Sequence, residues 1–153
     1  YEAMIDQSNK LGNFAHGYTY AGHPVTTAVA LETQKIYEEM DIVGHVQRVG
    51  RHLQDRLDDF EDHPMVGEVR GVGLLCGIEL VQDKTARKPF DADLKVGERY
   101  FNECRSRGMI GRYVGDRVVL APPLIITESE VDEMVDIMTQ SFNATWAEVK
   151  DEA

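Results

Sequence analysis

"VGEVRGVGLLCGIELV", residues 66–81, decides how this chain folds. Valine, leucine and isoleucine dominate it, and Gly67, Gly71, Gly73 and Gly77 interrupt it, so it reads as strand with bends at the glycines. Everything before it reads as helix. Residues 41 to 60 carry Ile42, Val46, Val49, Leu53, Leu57 and Phe60 at steps of three or four, behind a capping Asp41. His63-Pro64 breaks that run just ahead of the strand.

Downstream, "QDKTARKPFD" (82–91) is a polar loop, and Asp91 or Asp93 caps a helix bearing Leu94, Tyr100, Phe101 and Cys104. Gly108 ends that helix as a C-cap. "MIGRY" and "RVVLA" read as two short strands joined at Val114-Gly115-Asp116, and Pro122-Pro123 stops the second. Thr127 and Glu130 form a capping box for a last helix whose buried stripe is Val131, Met134, Val135, Met138, Phe142 and Val149. At the other end, residues 1 to 11 read as a short helix running into a loop over 12 to 22. Pro24 then opens a helix to Met40, where its missing N–H costs nothing. The order implies an α+β fold, a small antiparallel or mixed sheet covered by helices on one face.

The chain has 153 residues, enough for one domain with a real core. Its net charge of −11 argues against nucleic acid as a partner, because phosphate binding needs clustered lysine and arginine. No apolar run reaches membrane-spanning length. Cys76 and Cys104 have no metal spacing and fall on apolar faces, which implies buried thiols in a reducing compartment such as the cytoplasm. The histidines include no ligand-spaced cluster, so no metal is expected; His45, His52 and His63 read as helix-surface or turn residues.

Two stretches offer chemistry. "HGYTYAGHP" (16–24) crowds a threonine, two tyrosines, two histidines and two glycines at the mouth of a helix. Thr19 supplies a hydroxyl, Gly17 and Gly22 permit close backbone approach, and the helix N-terminus faces the loop, a combination that suits a phosphate. A plain capped helix behind an aromatic loop accounts for the spacing equally well. The glycines match neither the dinucleotide fingerprint nor the P-loop. In "GRYVGDRVVLAPPL" (111–124), Arg112 stands on an otherwise apolar strand, where its planar fork suits a substrate carboxylate or a structural ion pair.

In order, "HGYTYAGHPVTTAVAL", "VRGVGLLCGIEL", "GRYVGDRVVLAPPLIIT" and "EVDEM" resemble the class III aminotransferases, the omega-transaminase group of fold-type-I pyridoxal phosphate enzymes. The resemblance spans essentially the whole chain. It implies that Thr19 binds the cofactor phosphate of a neighbouring subunit and that Tyr18 lines the partner's substrate pocket. It implies that Arg112 is the mobile arginine that binds a substrate carboxylate and swings away for an uncharged amine. Arg70 of "VRG" is expected to serve packing, with no catalytic role. The family's Schiff-base lysine lies further upstream of the threonine than this chain reaches, and Lys10, the only lysine ahead of Thr19, does not match its motif.

The chain is therefore expected to be the C-terminal portion of such an enzyme, inactive by itself and without catalytic residues of its own. Residues 1–22 would end the large domain, 23–40 form a connecting helix and 41–153 form the small domain. The implied whole is a homodimer or higher homo-oligomer acting on small-molecule amines and keto acids. A decarboxylase or aminomutase of the same family, or a stand-alone ligand-binding module, would share these features.

Overall fold

The computed structural model describes residues 1–13 and 16–152; Phe14 and Ala15 of the first loop, and the terminal Ala153, lie outside the described residues. The chain divides into two units, Tyr1–Glu39 and Met40–Ala153. The first holds α1 (Glu2–Leu11) and α2 (Pro24–Glu39). Gly12, at φ +92°, ends α1 and donates its N–H to the Ser8 carbonyl at 2.9 Å. Neither helix buries a residue, and α2 exposes Val25, Val29, Leu31 and Ile36.

The second unit is a four-stranded sheet with three helices against one face. In chain order it runs α3 (Ile42–Asp58), a 3-10 turn (Asp59–Asp62), β1 (Val66–Val72), β2 (Leu75–Leu80), a second 3-10 turn (Ala92–Leu94), α4 (Val96–Ser106), β3 (Arg112–Val114), β4 (Arg117–Leu120) and α5 (Glu128–Val149). Strand order is β1-β2-β4-β3, antiparallel throughout.

Residues 66–81 are two strands, not one bent strand. Gly73 adopts φ +59°, a conformation open to glycine at little cost, and the chain reverses over Gly73-Leu74 so that Val72 pairs with Leu75. Alternation then sorts the faces. Cys76, Ile78 and Leu80 of β2, with Val118 and Leu120 of β4, point into the core, while Gly77, Glu79, Arg117 and Val119 face the other way. Leu53 and Leu57 of α3, Tyr100 of α4, and Val135, Met138 and Phe142 of α5 cover the inner face. Tyr100 stacks on Phe142 at 4.4 Å, and Phe60 meets the same ring edge-on at 4.8 Å. Each such aliphatic or aromatic side chain stabilises the fold by roughly 1.5–3 kcal/mol through burial.

The helix termini follow the sequence with one exception. Asp41 accepts from the Gly44 N–H, and Thr127 and Glu130 complete the capping box of α5. The helix expected from Asp91 or Asp93 breaks in two at Lys95, which sits in the left-handed region. Asp91 caps only the short 3-10 turn. The α4 N-terminus takes its side-chain acceptor from elsewhere in the chain: Asp116 receives the Gly97 N–H at 2.8 Å. Gly108, at φ +92°, closes α4 as expected, with the Met109 N–H reaching the Cys104 carbonyl.

The strand expected at "MIGRY" begins only at Arg112, the first residue that pairs with β4; Gly111 before it lies against the Phe101 ring, where an added Cβ would stand 2.3 Å away. The three later histidines are not simple surface residues. His45 bonds the Ile126 carbonyl, His52 pairs with Asp132 at 2.9 Å, and His63 packs on the Phe142 ring.

Candidate functional site

Two places carry the residues singled out from the sequence, one in each unit. In the first unit, the turn after Tyr18 is held by two backbone bonds, Ala21 N–H to the Tyr18 carbonyl at 2.9 Å and His23 N–H to the Tyr20 carbonyl at 3.1 Å. Gly22 takes φ +73°, which lets the chain turn into Pro24 and α2. The His23 carbonyl then accepts the Thr27 N–H and both the Thr26 and Thr27 hydroxyls, each at 3.0 Å. This turn presents Tyr18, Thr19 and Tyr20 to solvent. His16 meets the Tyr18 ring edge-on at 5.2 Å, and His23 meets Tyr20 at 6.0 Å. No described residue hydrogen-bonds the Thr19 hydroxyl, so that group is free to accept or donate.

In the second unit, the candidate surface is the sheet face turned away from the helices. Register puts Arg112, Val119, Gly77 and Arg70 in one row across β3, β4, β2 and β1. The adjacent row is Val114, Arg117, Glu79 and Glu68. Gly77 leaves the middle of the first row flat, since an added Cβ would meet nothing nearer than the Val118 carbonyl oxygen at 3.9 Å. Four of the charges pair with one another. Arg70 reaches Glu68 at 2.9 Å and Glu79 at 3.9 Å, and Arg117 Nε reaches Glu79 at 3.4 Å. Arg112 is the exception: it is exposed and has no ion-pair or hydrogen-bond partner among the described residues. Beside it opens a cleft of about 640 Å³, lined in part by Gly111, Arg112, Val119 and Pro122.

Arg70, expected to serve packing, is exposed and lies in the charge network instead. The hairpin carrying Arg112 is anchored at its turn. Asp116 binds the Gly97 N–H through its carboxylate, and its carbonyl accepts the Leu80 N–H at 2.9 Å. Neither the Asp116 anchor nor the Glu79–Arg117 pair has a local signal, because their partners lie 19 and 38 residues away in the chain.

Cys76 and Cys104 are both free. Both thiols are buried, and burial pushes both above the usual range, so they stay protonated. Among the described residues no group of three His, Cys, Asp or Glu side chains converges on a metal position, and no helix is long and apolar enough to cross a membrane.

Comparison with known proteins is consistent with this arrangement. The family model described as "Aminotransferase class-III" matches residues 2–142. A probable gamma-aminobutyrate transaminase 3, mitochondrial, from Oryza sativa subsp. indica is 46% identical over 144 residues, covering 94% of this chain and 28% of that protein. Gamma aminobutyrate transaminase 3, chloroplastic, from Solanum lycopersicum is 42% identical over 134 residues, covering 88% of this chain and 26% of that protein. Among solved structures, an omega transaminase from Pseudomonas jessenii in complex with PMP superposes with a TM-score of 0.83 at 42% identity, covering 97% of this chain and 33% of that one. A PMP-bound aminotransferase from Vibrio fluvialis gives 0.84 at 36% identity, over 95% and 32%. The chain thus spans between a quarter and a third of the length of these relatives. On its sequence and on its fold, this chain belongs to the class III aminotransferase family.

Proposed function

We propose that this chain is the C-terminal part of a pyridoxal phosphate-dependent aminotransferase that moves an amino group between an amine or amino acid and a keto acid. Within it, residues 41–153 act as the small domain and residues 23–40 as the helix that leads into it. Pyridoxal phosphate supplies the electron sink for this chemistry when bound. The chain's own residues fit its phosphate end. Thr19 offers an uncommitted hydroxyl on an exposed turn directly ahead of a helix N-terminus, where backbone N–H groups and the helix dipole favour an anion. Tyr18, adjacent and exposed, is an apolar wall with a polar tip for the substrate side.

The six lysines do not fit the aldehyde end: Lys10 lies on exposed α1 outside the family motif, and the others all follow Thr19 in the chain. The chain's contribution is therefore binding and orientation. The family resemblance implies that Thr19 and Tyr18 act on a neighbouring subunit, and on that ground we place them against a second copy, in a homodimer or higher homo-oligomer. Buried free thiols favour a reducing compartment, and we place the protein in the cytoplasm.

The observation that carries the reading is Arg112. An exposed guanidinium with no partner among the described residues, on an edge strand beside a cleft, binds a keto-acid carboxylate through its planar fork and is free to retract for a neutral amine. In the whole enzyme, Arg112→Ala is expected to slow the keto-acid half-reaction by about 2–4 kcal/mol of binding while affecting the amine half-reaction far less. Single-turnover rates for each half-reaction, taken beside a melting curve, test this. Equal losses in both, with a lowered melting temperature, would end the substrate-arginine reading.

A further inference from the structure

We propose that Arg117 and Glu79 are positioning residues for substrate charge, keeping Arg112 available for a carboxylate by holding Glu79 away from it; this rests on the reading of Arg112 above. The open sheet face bears two acids, Glu68 and Glu79, and three bases, Arg70, Arg112 and Arg117. Ion pairs join the two acids to Arg70 and Arg117, and among the described residues Arg112 is left as the uncompensated cation of the face. Its freedom depends on that pairing.

Register places Glu79 two strands from Arg112 and two residues along, a Cα separation of about 12 Å from ordinary strand spacing. An extended arginine and a glutamate meet across such a distance. Arg117, on β4, stands between them, opposite Glu79 on β2 and opposite Val114 on β3. Its guanidinium both occupies the Glu79 carboxylate and repels Arg112 from it. Gly77 puts no side chain in the way, and Val119 offers no competing polar group. Removing the Arg117 charge therefore leaves Glu79 with only the longer Arg70 contact at 3.9 Å, and Arg112 becomes its best new partner. The captured Arg112 then loses contact with a substrate acid.

The test is a double-mutant cycle in the whole enzyme with pyruvate as the acid probe and a neutral arylalkylamine as the amine probe. Arg117→Gln is expected to raise KM for the keto acid about two- to fivefold, the range an exposed ion pair commands, with a smaller change on the amine side. Arg117→Gln/Glu79→Gln is expected to restore the keto-acid KM, because no acid remains to capture Arg112. Arg99→Gln, which breaks the Arg99–Glu152 pair elsewhere on the surface, is the charge-removal control and changes neither half-reaction. A double variant no better than the single one overturns the proposal, as does an equal fall in both half-reactions.

The second measurement needs no catalysis. In the 15N-labelled 153-residue chain, the Arg112 Nε–Hε resonance is expected to move on Arg117→Gln and to return on adding Glu79→Gln. An unmoved resonance refutes the capture. If Arg112→Ala spares the keto acid while the resonance still moves, the substrate reading fails and the charge network stands. If Arg112→Ala is selective and the resonance stays still, the network inference fails alone.

Discussion

Replacing Gly97 by alanine would test how the hairpin bearing Arg112 is held in place. Gly97 is the second residue of α4, and its N–H donates to the Asp116 carboxylate at 2.8 Å. An added Cβ would stand 2.1 Å from the Gly115 carbonyl oxygen and 3.1 Å from its carbon. Those atoms are backbone, so the whole Gly115-Asp116 turn must move by about an ångström to reach ordinary contact, which overpacking of this kind makes cost about 1–3 kcal/mol. Displacing the turn also weakens the Asp116 hydrogen bond, a contribution of about 1 kcal/mol. Alanine returns roughly 0.5–1 kcal/mol through its better backbone entropy in a helix. The expected net loss is about 1–3 kcal/mol, or a melting temperature lower by roughly 3–15 °C for a unit of this size. Gly77→Ala is the matched control: its Cβ meets nothing nearer than 3.9 Å, so stability should stay level or rise slightly. Thermal unfolding followed by circular dichroism on the 153-residue chain reads both. A Gly97→Ala variant melting with the parent would mean that the turn yields freely, and the anchoring argument would be wrong. In the whole enzyme the same variant should impair the keto-acid half-reaction more than the amine one, since the displaced turn carries Arg112 with it.

Three further outcomes follow from particular contacts. Thr19→Ala in the whole enzyme should weaken cofactor retention by about 1.5–3 kcal/mol, roughly ten- to a hundredfold, with the melting temperature of the cofactor-free protein unchanged; an unaltered cofactor titration would return Thr19 to an ordinary loop residue. His63 is held below the ordinary imidazole value by burial, partly offset by its hydrogen bond to Asn143. Its folded value being depressed, the unfolded chain takes up the proton first, so its contribution to stability is full above the ordinary value near 6.5 and is lost as pH falls through the depressed one. His63→Phe should therefore flatten the fall in melting temperature on acidification below that pH, and parallel curves for variant and parent would contradict the assignment. Thr127→Ala removes the hydroxyl that accepts the Glu130 N–H and should cost about 1 kcal/mol in urea unfolding, with an unchanged midpoint counting against the capping box.

What the sequence determined by itself is whatever depends on residues close together in the chain. The stripe of α3 from Ile42 to Leu57, the Asp41 cap and the Thr127–Glu130 box were legible because helical periodicity and cap bonds join residues three or four apart. The turns at Gly108 and Gly115 were legible for the same reason: both glycines take the positive φ that their neighbours demand. Tertiary structure decided the rest. Whether residues 66–81 make one bent strand or two turned on β1 folding back onto β2 at Gly73, because a glycine-rich run is compatible with either until an antiparallel neighbour fixes its register. The cap of α4 came from Asp116, across the fold, once Lys95 broke the local helix. The same holds for the candidate site. Thr19, Tyr18 and Arg112 could be picked from sequence, but not that Arg70, Glu68, Glu79 and Arg117 neutralise one another while Arg112 stays unpaired among the described residues. Charge pairing across a sheet is set by which strands lie side by side, and a linear chain holds that information only after it has closed into the fold.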